Sequence, residues 1–322
     1  MKLFVTGAAG FIGSNYVRWI MNNSDAEVTV FDALTYAGVR ENLAEFEDSP
    51  RFSFVKGDIT DREAVAGAMP GHSHVVHFAA ESHVDRSIMG PDAFIHTNVA
   101  GTNVVCDIAR MNDIERFLHV STDEVYGSIN EGSFVETDGL EPRSPYSASK
   151  ASSDLVALAY RETYGLPVVI TRSANQFGPY QFPEKVIPLF VTNLLDGAKV
   201  PLYGDGLNIR DWTFVEDNCA GVQIVLERGT EGDVYNIGAG NELTNKELTH
   251  AILDRCGKDE DSIEFVEDRL GHDRRYSIDT TKIRAMGWAP QRSFDDALDE
   301  TVAWYTANRA WWEPLKASVK NR

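Results

Sequence analysis

The stretch Leu3-Phe4-Val5-Thr6-Gly7-Ala8-Ala9-Gly10-Phe11-Ile12-Gly13 decides the fold class of this 322-residue chain. Its first residues form a short apolar run typical of a buried strand, and apolar residues then recur at helical spacing through position 20. A strand, a glycine turn and a helix in this order predict a dinucleotide-binding unit. Gly7, Gly10 and Gly13 let the backbone approach a pyrophosphate, and the helix N-terminus offers unpaired N–H groups.

The next strand-like run, Glu27-Val28-Thr29-Val30-Phe31-Asp32, ends in an acid about twenty residues after the last glycine. A carboxylate there accepts hydrogen bonds from a ribose and repels a 2′-phosphate, so the pattern favours NAD over NADP. Strand and helix patterns keep alternating through residue 171. We therefore predict an α/β fold with a doubly wound parallel Rossmann sheet.

The sequence pattern changes after residue 175, where prolines and glycines become frequent and strand and helix patterns no longer alternate strictly. We predict an NAD-binding domain over residues 1–175, with a return of the chain near residues 211–240. Residues 176–322 are expected to form a smaller, mixed α/β substrate domain. A helix is predicted over 294–308, and Trp311 and Trp312 after it are interpreted as packing residues.

Two segments carry candidate acid–base chemistry. Ser121-Thr122-Asp123-Glu124-Val125-Tyr126-Gly127 follows an apolar run, so it should leave the carboxyl end of a buried strand, where open α/β sheets bind ligands. Tyr146 and Lys150 are four residues apart, which places them on one face of a helix. A cation beside a phenol lowers its pKa, so we expect Tyr146 to act as a base near neutral pH.

The composition excludes several classes of function. The formal net charge is −19, which argues against non-specific binding to nucleic acid or to an anionic membrane. The three cysteines are scattered, and no Cys-x-x-Cys or His-Glu-x-x-His pattern occurs, so we predict a reduced, cytoplasmic protein without a metal site. No apolar run reaches the length of a signal peptide or a membrane span.

Taken together, the glycine pattern, Asn98 on a helix and Tyr146-x-x-x-Lys150 resemble the extended short-chain dehydrogenase/reductase superfamily. Within it, residues 81–87, 121–127, 182–185 and 271–273 resemble the family of dTDP-glucose 4,6-dehydratases. The likeness covers essentially the whole chain, and the Asp123-Glu124 pair is its most discriminating part. The resemblance implies NAD as cofactor, dTDP-glucose as substrate and a homodimer formed through residues 91–111 and 145–164.

The resemblance also implies a set of binding residues, taken position by position. The cofactor positions are Gly7, Gly10, Phe11, Ile12, Gly13, Asp32, Leu34, Thr35, Asp58, Ile59, Ala79, Ala80, Ser82, Thr97, Tyr146, Lys150 and Gln176. The substrate positions are His83, Thr122, Glu124, Asn175, Lys185, Val186, Pro201, Tyr203, Arg210, Asn236, Arg269, His272 and Tyr276. Arg210, Arg269 and Lys185 are the local cations that an acidic chain needs for a diphosphate.

The implied catalytic residues are Thr122, Asp123, Glu124, Tyr146 and Lys150. Thr122 and Tyr146 would hold the sugar O4 while C4 is oxidised, Glu124 would remove the C5 proton, and Asp123 would protonate the departing 6-hydroxyl. NAD would be regenerated in each turnover. Two adjacent carboxyls in a dry site interact strongly, so one of them can stay protonated while the other is ionised.

One segment departs from the pattern of the family. This chain reads Ser173-Ala174-Asn175-Gln176-Phe177-Gly178 where the family usually has Cys-Ser-Asn-Asn-Tyr-Gly. Gln176 is one methylene longer than the usual Asn, and Ala174 lacks a hydroxyl. The nucleotide base and the hexose are therefore less firmly implied than the reaction.

Two other hypotheses remain open. A UDP-sugar 4,6-dehydratase, a sugar-nucleotide 4-epimerase or a UDP-glucuronate decarboxylase would share Tyr146, Lys150 and the fold, but the last two have no use for both Asp123 and Glu124. A non-catalytic NAD-sensing or scaffold protein is disfavoured, because it need not keep all five catalytic residues together.

Overall fold

The computed structural model describes residues 1–268 and 271–320. The strands in this part of the chain are β1 (Lys2–Thr6), β2 (Glu27–Asp32), β3 (Phe52–Lys56), β4 (His74–His77), β5 (Arg116–Thr122), β6 (Val168–Ser173), β7 (Asn175–Phe177), β8 (Val200–Tyr203), β9 (Ile209–Phe214), β10 (Val234–Ile237), β11 (Glu242–Thr244) and β12 (Ile263–Val266).

The α-helices are α1 (Phe11–Asn23), α2 (Arg62–Ala68), α3 (Val84–Met89), α4 (Pro91–Phe94), α5 (Thr102–Met111), α6 (Pro145–Tyr164), α7 (Val186–Leu195), α8 (Val215–Arg228), α9 (Asn245–Arg255), α10 (Thr281–Ala285), α11 (Phe294–Ala307) and α12 (Arg309–Lys320). Short 3₁₀ segments cover Arg40–Phe46, Asp123–Tyr126 and Glu260–Ser262, and a π-helical segment, Ile95–Gly101, joins α4 to α5.

Seven strands form one parallel sheet in the order β3-β2-β1-β4-β5-β6-β10. The order reverses between β1 and β4, and such a switch point opens a crevice at the carboxyl ends of the strands. The predicted doubly wound Rossmann sheet is confirmed.

Period-two alternation along the strands builds two apolar layers. Leu3 and Val5 pack on one face of the sheet in the same cluster as Tyr16 of α1 and Val222 of α8. Phe4 points to the opposite face and packs in the cluster that contains residues of α5 and α6. Because side chains of successive strand residues point to opposite faces, one five-residue strand anchors both layers.

A second group of elements surrounds its own core. β11, β9 and β7 form a three-stranded sheet, and β12 pairs with β8. Their apolar cluster includes Phe177, Trp212 and residues of α7, α9 and α11, together with Trp312 of α12, which is 1% exposed. The packing role predicted for Trp311 and Trp312 is confirmed, since Trp311 also packs against this cluster.

The chain passes between the two groups more than once. β10 pairs with β6 at the edge of the large sheet, and α8 packs beside α1 on one of its faces. Both elements follow β9, which belongs to the three-stranded sheet. The division at residue 175, with a return near 211–240, stays a prediction.

Within the described residues, no helix combines the length and the apolar character that a membrane crossing requires. A search of the same residues found no group of three His, Cys, Asp or Glu side chains placed to hold a metal ion.

Candidate active site

A cleft of about 320 Å³ opens at the carboxyl ends of β1, β2, β4 and β5. Many of the predicted cofactor residues share one property: they line this cleft. They are Gly7, Gly10, Phe11, Ile12, Gly13, Asp32, Thr35, Asp58, Ile59, Ala79, Ala80, Ser82, Thr97, Tyr146, Lys150 and Gln176. Leu34 is not among the lining residues; its backbone N–H instead donates to Asp32.

Two residues of the glycine turn stand where the neighbouring backbone leaves no space for a side chain. Gly7 has φ +70°, and a Cβ there would lie 2.5 Å from the Cα atom of Ala79. A Cβ on Gly13 would lie 2.6 Å from the Cα atom of Ala8. A larger residue at Gly7 would therefore push the turn away from the loop after β4, and one at Gly13 would push α1 away from the turn after β1.

The N-terminus of α1 suits an anionic group. No side chain caps this terminus, and its first turn contains no acidic residue. The N–H groups of that turn and the positive end of the helix dipole therefore face the cleft without a competing carboxylate. A diphosphate of a dinucleotide fits this arrangement.

Asp32 organises the neighbouring part of the cleft. Its carboxylate accepts backbone N–H groups from Ala9 and Leu34, each at 2.8 Å, and the residue is 8% exposed. Each carboxylate oxygen has a second lone pair, which leaves an acceptor for a ribose hydroxyl. These residues fit NAD.

Residues Thr122 to Tyr126 begin where β5 ends, and we call them the catalytic turn after the role that the sequence predicts for them. The Thr122 hydroxyl accepts the backbone N–H of Glu124 and donates to Asp123 Oδ1, both at 3.2 Å. Asp123 is 3% exposed, and its Oδ2 has no hydrogen-bond partner. Burial and the neighbouring Glu124 raise the pKa of Asp123 to about 8, so this carboxyl is protonated at neutral pH.

The helix α6 presents the phenol and the ammonium. Its N-terminus is closed by a capping box between Ser144 and Ser147, and Pro145 occupies its first turn. Lys150 Nζ donates to the carbonyl of Val120 at 2.7 Å, and burial lowers the pKa of Lys150 to about 8. The helix therefore holds the Lys150 ammonium against the carboxyl end of β5.

The expected lowering of the Tyr146 pKa is wrong for the protein without ligands. Burial raises the pKa of Tyr146 well above its usual value, Glu124 and Asp123 raise it further, and the Thr122 side chain opposes this rise. The Lys150 ammonium is committed to Val120. Helical spacing placed the two residues together, but it could not show the burial and the two carboxyls around the phenol.

Asn98 joins this helix to the loop after β4. Its side chain accepts the backbone N–H of Glu81 at 2.8 Å, and it donates to the Glu81 carbonyl and to the Ser149 hydroxyl. Asn98 lies in the π-helical segment, where it is 1% exposed. It holds one wall of the cleft to the catalytic helix.

The predicted substrate residues separate into groups. Thr122, Glu124, Asn175 and Lys185 line the cleft, and the Oδ1 atom of Asn175 is buried without a hydrogen-bond partner. His83 and Val186 border it. His83 is the N-cap residue of α3, and Val186 follows Lys185 at the start of α7.

Arg210 and Tyr276 face the two carboxyls from the other side. The charge of Arg210 lowers the pKa of Asp123, and Glu124 adds to the rise that burial causes in the pKa of Tyr276. The Arg210 guanidinium lies 4.0 Å from the centroid of the Tyr276 ring and donates to the carbonyl of Asp273. A cation and a phenol therefore stand next to the catalytic turn.

The remaining predicted substrate residues lie outside the cleft lining. Pro201 and Tyr203 are on β8, and the Tyr203 ring lies 6.4 Å from the ring of His272. Asn236 is fully buried, and its amide is engaged with Tyr126, Phe134 and Asp279. Arg269 lies outside the described residues.

Among the charged and amide side chains that line the cleft, sequence reasoning did not assign Glu81, Gln181 and Glu184 to the site. Tyr36 donates to Glu184 Oε1 at 2.8 Å, across 148 positions of the sequence. The Nε2 of Gln181 donates to the carbonyl of Gln176 at 2.9 Å. Glu81 and Glu184 lie in two of the runs on which the family resemblance rests, residues 81–87 and 182–185, so the sequence gave a signal for both. It gave none for Gln181.

Comparisons with known proteins agree with this geometry. The family model described as GDP-mannose 4,6 dehydratase matches residues 4–301. A dTDP-glucose 4,6-dehydratase of Actinoplanes sp. is 55% identical, over 97% of this chain and 100% of the relative. The low-salt glycan biosynthesis protein Agl12 of Haloferax volcanii is also 55% identical, over 95% of this chain and 98% of its own.

A solved structure is similar in both sequence and fold. It is DesIV, a dTDP-glucose 4,6-dehydratase from Streptomyces venezuelae, with NAD and dTDP bound. Its TM-score is 0.96 at 56% identity, and the match covers 98% of this chain and 100% of that one.

Proposed function

The chain belongs to the GDP-mannose 4,6 dehydratase family, and we propose that within it the protein acts as an NAD-dependent dTDP-glucose 4,6-dehydratase. It oxidises C4 of the sugar, eliminates water across C5 and C6, and returns hydride to C6. The product is dTDP-4-keto-6-deoxyglucose. One observation carries the proposal: the buried Asp123, with an unpartnered Oδ2, stands beside Glu124, and Glu124 and Tyr146 line the same cleft.

For the oxidation, we assign the sugar O4 to the hydroxyls of Thr122 and Tyr146. When bound, NAD would supply the hydride acceptor and donor of the cycle and, in its oxidised form, a positive charge. Tyr146 is neutral at rest, because burial and the two carboxyls hold its pKa high. Loss of its proton therefore depends on cations, and the charge of Lys150 one helical turn away favours the phenolate.

For the elimination, Glu124 is the base that removes the proton from C5 once C4 is a ketone. Asp123 gives its proton to the departing 6-hydroxyl. Its unpartnered Oδ2 is a buried polar atom that a sugar hydroxyl would satisfy. A positioned acid or base of this kind typically contributes roughly 10²- to 10⁴-fold in rate.

For binding, Asp32 and the N-terminus of α1 hold the ribose and the diphosphate of NAD. Arg210, Tyr276, Lys185 and Asn175 hold the sugar nucleotide beside it. Arg210 is 5% exposed, and a nearly buried guanidinium is well suited to a diphosphate. Pro201, Tyr203 and His272 complete this side of the site.

Incubation of the NAD-loaded protein with dTDP-glucose tests the assignment. We expect a product lighter than the substrate by one water, with one deuterium at C5 when the reaction runs in D₂O. A 4-epimerase would instead yield a product of unchanged mass. A product of unchanged mass, or no product, would overturn the proposal.

A pair of substrates that differ in the nucleoside, thymidine in one and uridine in the other, tests the nucleotide preference. We expect dTDP-glucose to react with a higher kcat/KM than UDP-glucose. Equal kcat/KM values would contradict the preference for thymidine, and a higher value for UDP-glucose would identify the protein as a UDP-sugar 4,6-dehydratase.

We also propose that the protein is a homodimer. On α6, the side chains of Leu155 and Ala159 are exposed, Leu155 by 60%. Ile95 is 49% exposed in the segment 91–111, and exposed apolar side chains of this kind are typical of an interface. A monomeric mass by light scattering at micromolar concentration would contradict a dimer.

We further propose that the protein works in a reducing, cytoplasmic compartment and does not bind nucleic acid. Cys106, Cys219 and Cys256 are free thiols, and the charge of −19 repels phosphate backbones. Binding to duplex DNA at physiological salt would contradict the second statement.

A further inference from the structure

A buried charge cluster lies beneath the catalytic residues, and the reaction as assigned does not use it. Asp154 of α6 is completely buried, Arg172 of β6 is 3% exposed, and His119 of β5 is completely buried. Arg172 Nε donates to Asp154 Oδ2 at 2.9 Å. His119 Nε2 lies 3.3 Å from Asp154 Oδ1.

This cluster touches both halves of the catalytic machinery. Asp154 follows Lys150 by four residues on α6, so both side chains lie on one face of the helix. On the other side, the Arg172 guanidinium lies 4.8 Å from the centroid of the Tyr126 ring. Tyr126 is the last residue of the catalytic turn, and its hydroxyl donates to Asn236 Oδ1 at 2.9 Å.

We propose that Asp154 and Arg172 are positioning residues, whose buried ion pair ties the helix carrying Tyr146 and Lys150 to the turn carrying Asp123 and Glu124. The inference rests on the proposed function. Stability alone does not account for such a pair, because an apolar pair of similar volume is often equally stable or more stable. What an apolar pair lacks is a fixed direction of contact to both elements.

The charges around Lys150 support this assignment. The titratable groups whose charges interact with it are Asp154 on α6, His119 on β5 and His77 on β4, with Arg172 behind Asp154 on β6. Tyr146 precedes it by one helical turn on α6. Burial lowers the pKa of His119 to about 4 and that of His77 well below its usual value, so both rings are neutral.

Asp154 is therefore the anion that opposes the effect of burial on Lys150. Burial by itself would raise the pKa of Asp154, but His119 and the charges of Arg172 and Lys150 lower it, and the carboxylate stays ionised. Arg172 also binds the Asp154 carboxylate, and its charge opposes that of Asp154. Removal of the Asp154 carboxylate and removal of the Arg172 guanidinium should therefore shift the pKa of Lys150 in opposite directions.

The test compares Asp154→Asn, Arg172→Met and the apolar double variant Asp154→Leu/Arg172→Met, each loaded with NAD. The formation of reduced nicotinamide in the first turnover reports oxidation. The incorporation of solvent deuterium at C5 reports elimination. We also compare the pH dependence of kcat and the temperature of thermal unfolding.

We expect Arg172→Met to slow elimination on the order of tenfold to a hundredfold while oxidation is largely kept, because the turn shifts relative to the sugar. Asp154→Asn should slow oxidation and move the alkaline limb of the pH profile to lower pH. Arg172→Met should move that limb to higher pH. The double variant should unfold at the wild-type temperature or above, yet stay slow.

Recovery of the wild-type rates and pH profile in the double variant would overturn the proposal, and so would a parallel loss of both steps in every variant. If the single variants do not fold, the rates of the double variant decide the question. The surface ion pair of Arg255 and Asp295, at 2.7 Å, is the matched control, and Arg255→Met with Asp295→Asn should leave both steps unchanged. Failure of the proposed function would instead show in the wild-type protein, as no dehydrated product.

Discussion

The catalytic turn after β5 and the helix α6 contribute side chains to the same cleft, but they are held in opposite ways. The turn keeps a buried Asp123 oxygen without a partner and a carboxyl whose pKa is raised to about 8. The helix begins with a capping box, and its Lys150 ammonium donates to the carbonyl of Val120. The turn thus presents a carboxyl that can donate a proton, and the helix holds its side chains in fixed positions.

This difference separates the chemistry into two parts. In the proposed reaction, elimination depends on the Asp123 carboxyl, whose Oδ2 has no hydrogen-bond partner, which is costly in the folded protein but useful once a sugar hydroxyl binds. Oxidation depends on a phenol and an ammonium whose geometry is fixed before the ligand binds. Variants on the turn and on the helix should therefore fail at different steps.

The largest effect is expected from Glu124→Gln on the turn. Loss of the base should reduce elimination by roughly 10²- to 10⁴-fold, while oxidation at C4 persists. Reduced nicotinamide should accumulate during a single turnover, and its absorbance measures this directly. The exposed Glu131→Gln is the control, and wild-type turnover in Glu124→Gln would refute the role of the base.

On the helix, Lys150→Met should stop the cycle one step earlier. Without the ammonium, the phenol loses a cation that favours its ionised form, so oxidation should slow by roughly a hundredfold. No reduced nicotinamide should then accumulate, in contrast to Glu124→Gln. If reduced nicotinamide does accumulate in Lys150→Met, the division between turn and helix is wrong; Lys258→Met on the surface should behave as wild type.

Asp123→Asn tests how much the buried Asp123 carboxyl lowers the free energy of unfolding. The folded protein keeps a proton on Asp123 up to about pH 8, whereas the unfolded chain releases it near the usual value of 3.8. Wild-type stability should therefore fall as the pH rises between these two values. The variant should lack this loss and be more stable at pH 8 by roughly 1–3 kcal/mol, although elimination becomes slow.

Urea unfolding at pH 5 and pH 8 measures this difference. Asp48→Asn, at an exposed carboxyl, should leave the pH dependence of stability unchanged. Equal pH dependence of Asp123→Asn and wild type would mean that Asp123 is already ionised in the folded protein at neutral pH.

The smallest effect is expected from Gln176→Asn, at a cleft residue outside both regions. The Oε1 atom of Gln176 is buried and has no protein partner, so it is available to a ligand N–H. The shorter Asn side chain should lose about one hydrogen bond and weaken NAD binding roughly fivefold, with little change in kcat. Calorimetric titration with NAD checks this, and unchanged affinity would exclude a side-chain contact.

The sequence alone predicted the large sheet, the glycine turn and the two catalytic segments. These features are local: a strand, a turn and a helix each leave a periodic pattern within some twenty residues, and parallel strands bring their carboxyl ends to one edge. Helical spacing also placed Tyr146 beside Lys150, because four residues make about one turn. The family resemblance added NAD and the sugar nucleotide.

Only the tertiary structure decided the electrostatics of the site. Burial and the neighbouring Glu124 raise the pKa of Asp123, burial and the same carboxyls raise that of Tyr146, and Asn236 is engaged with Tyr126 of the catalytic turn. Arg172 reaches Asp154 and Tyr126 because β6 pairs with β5 in one register, with Arg172 opposite Ser121. Desolvation and such pairings depend on segments far apart in the chain, so no local pattern of residues encodes them.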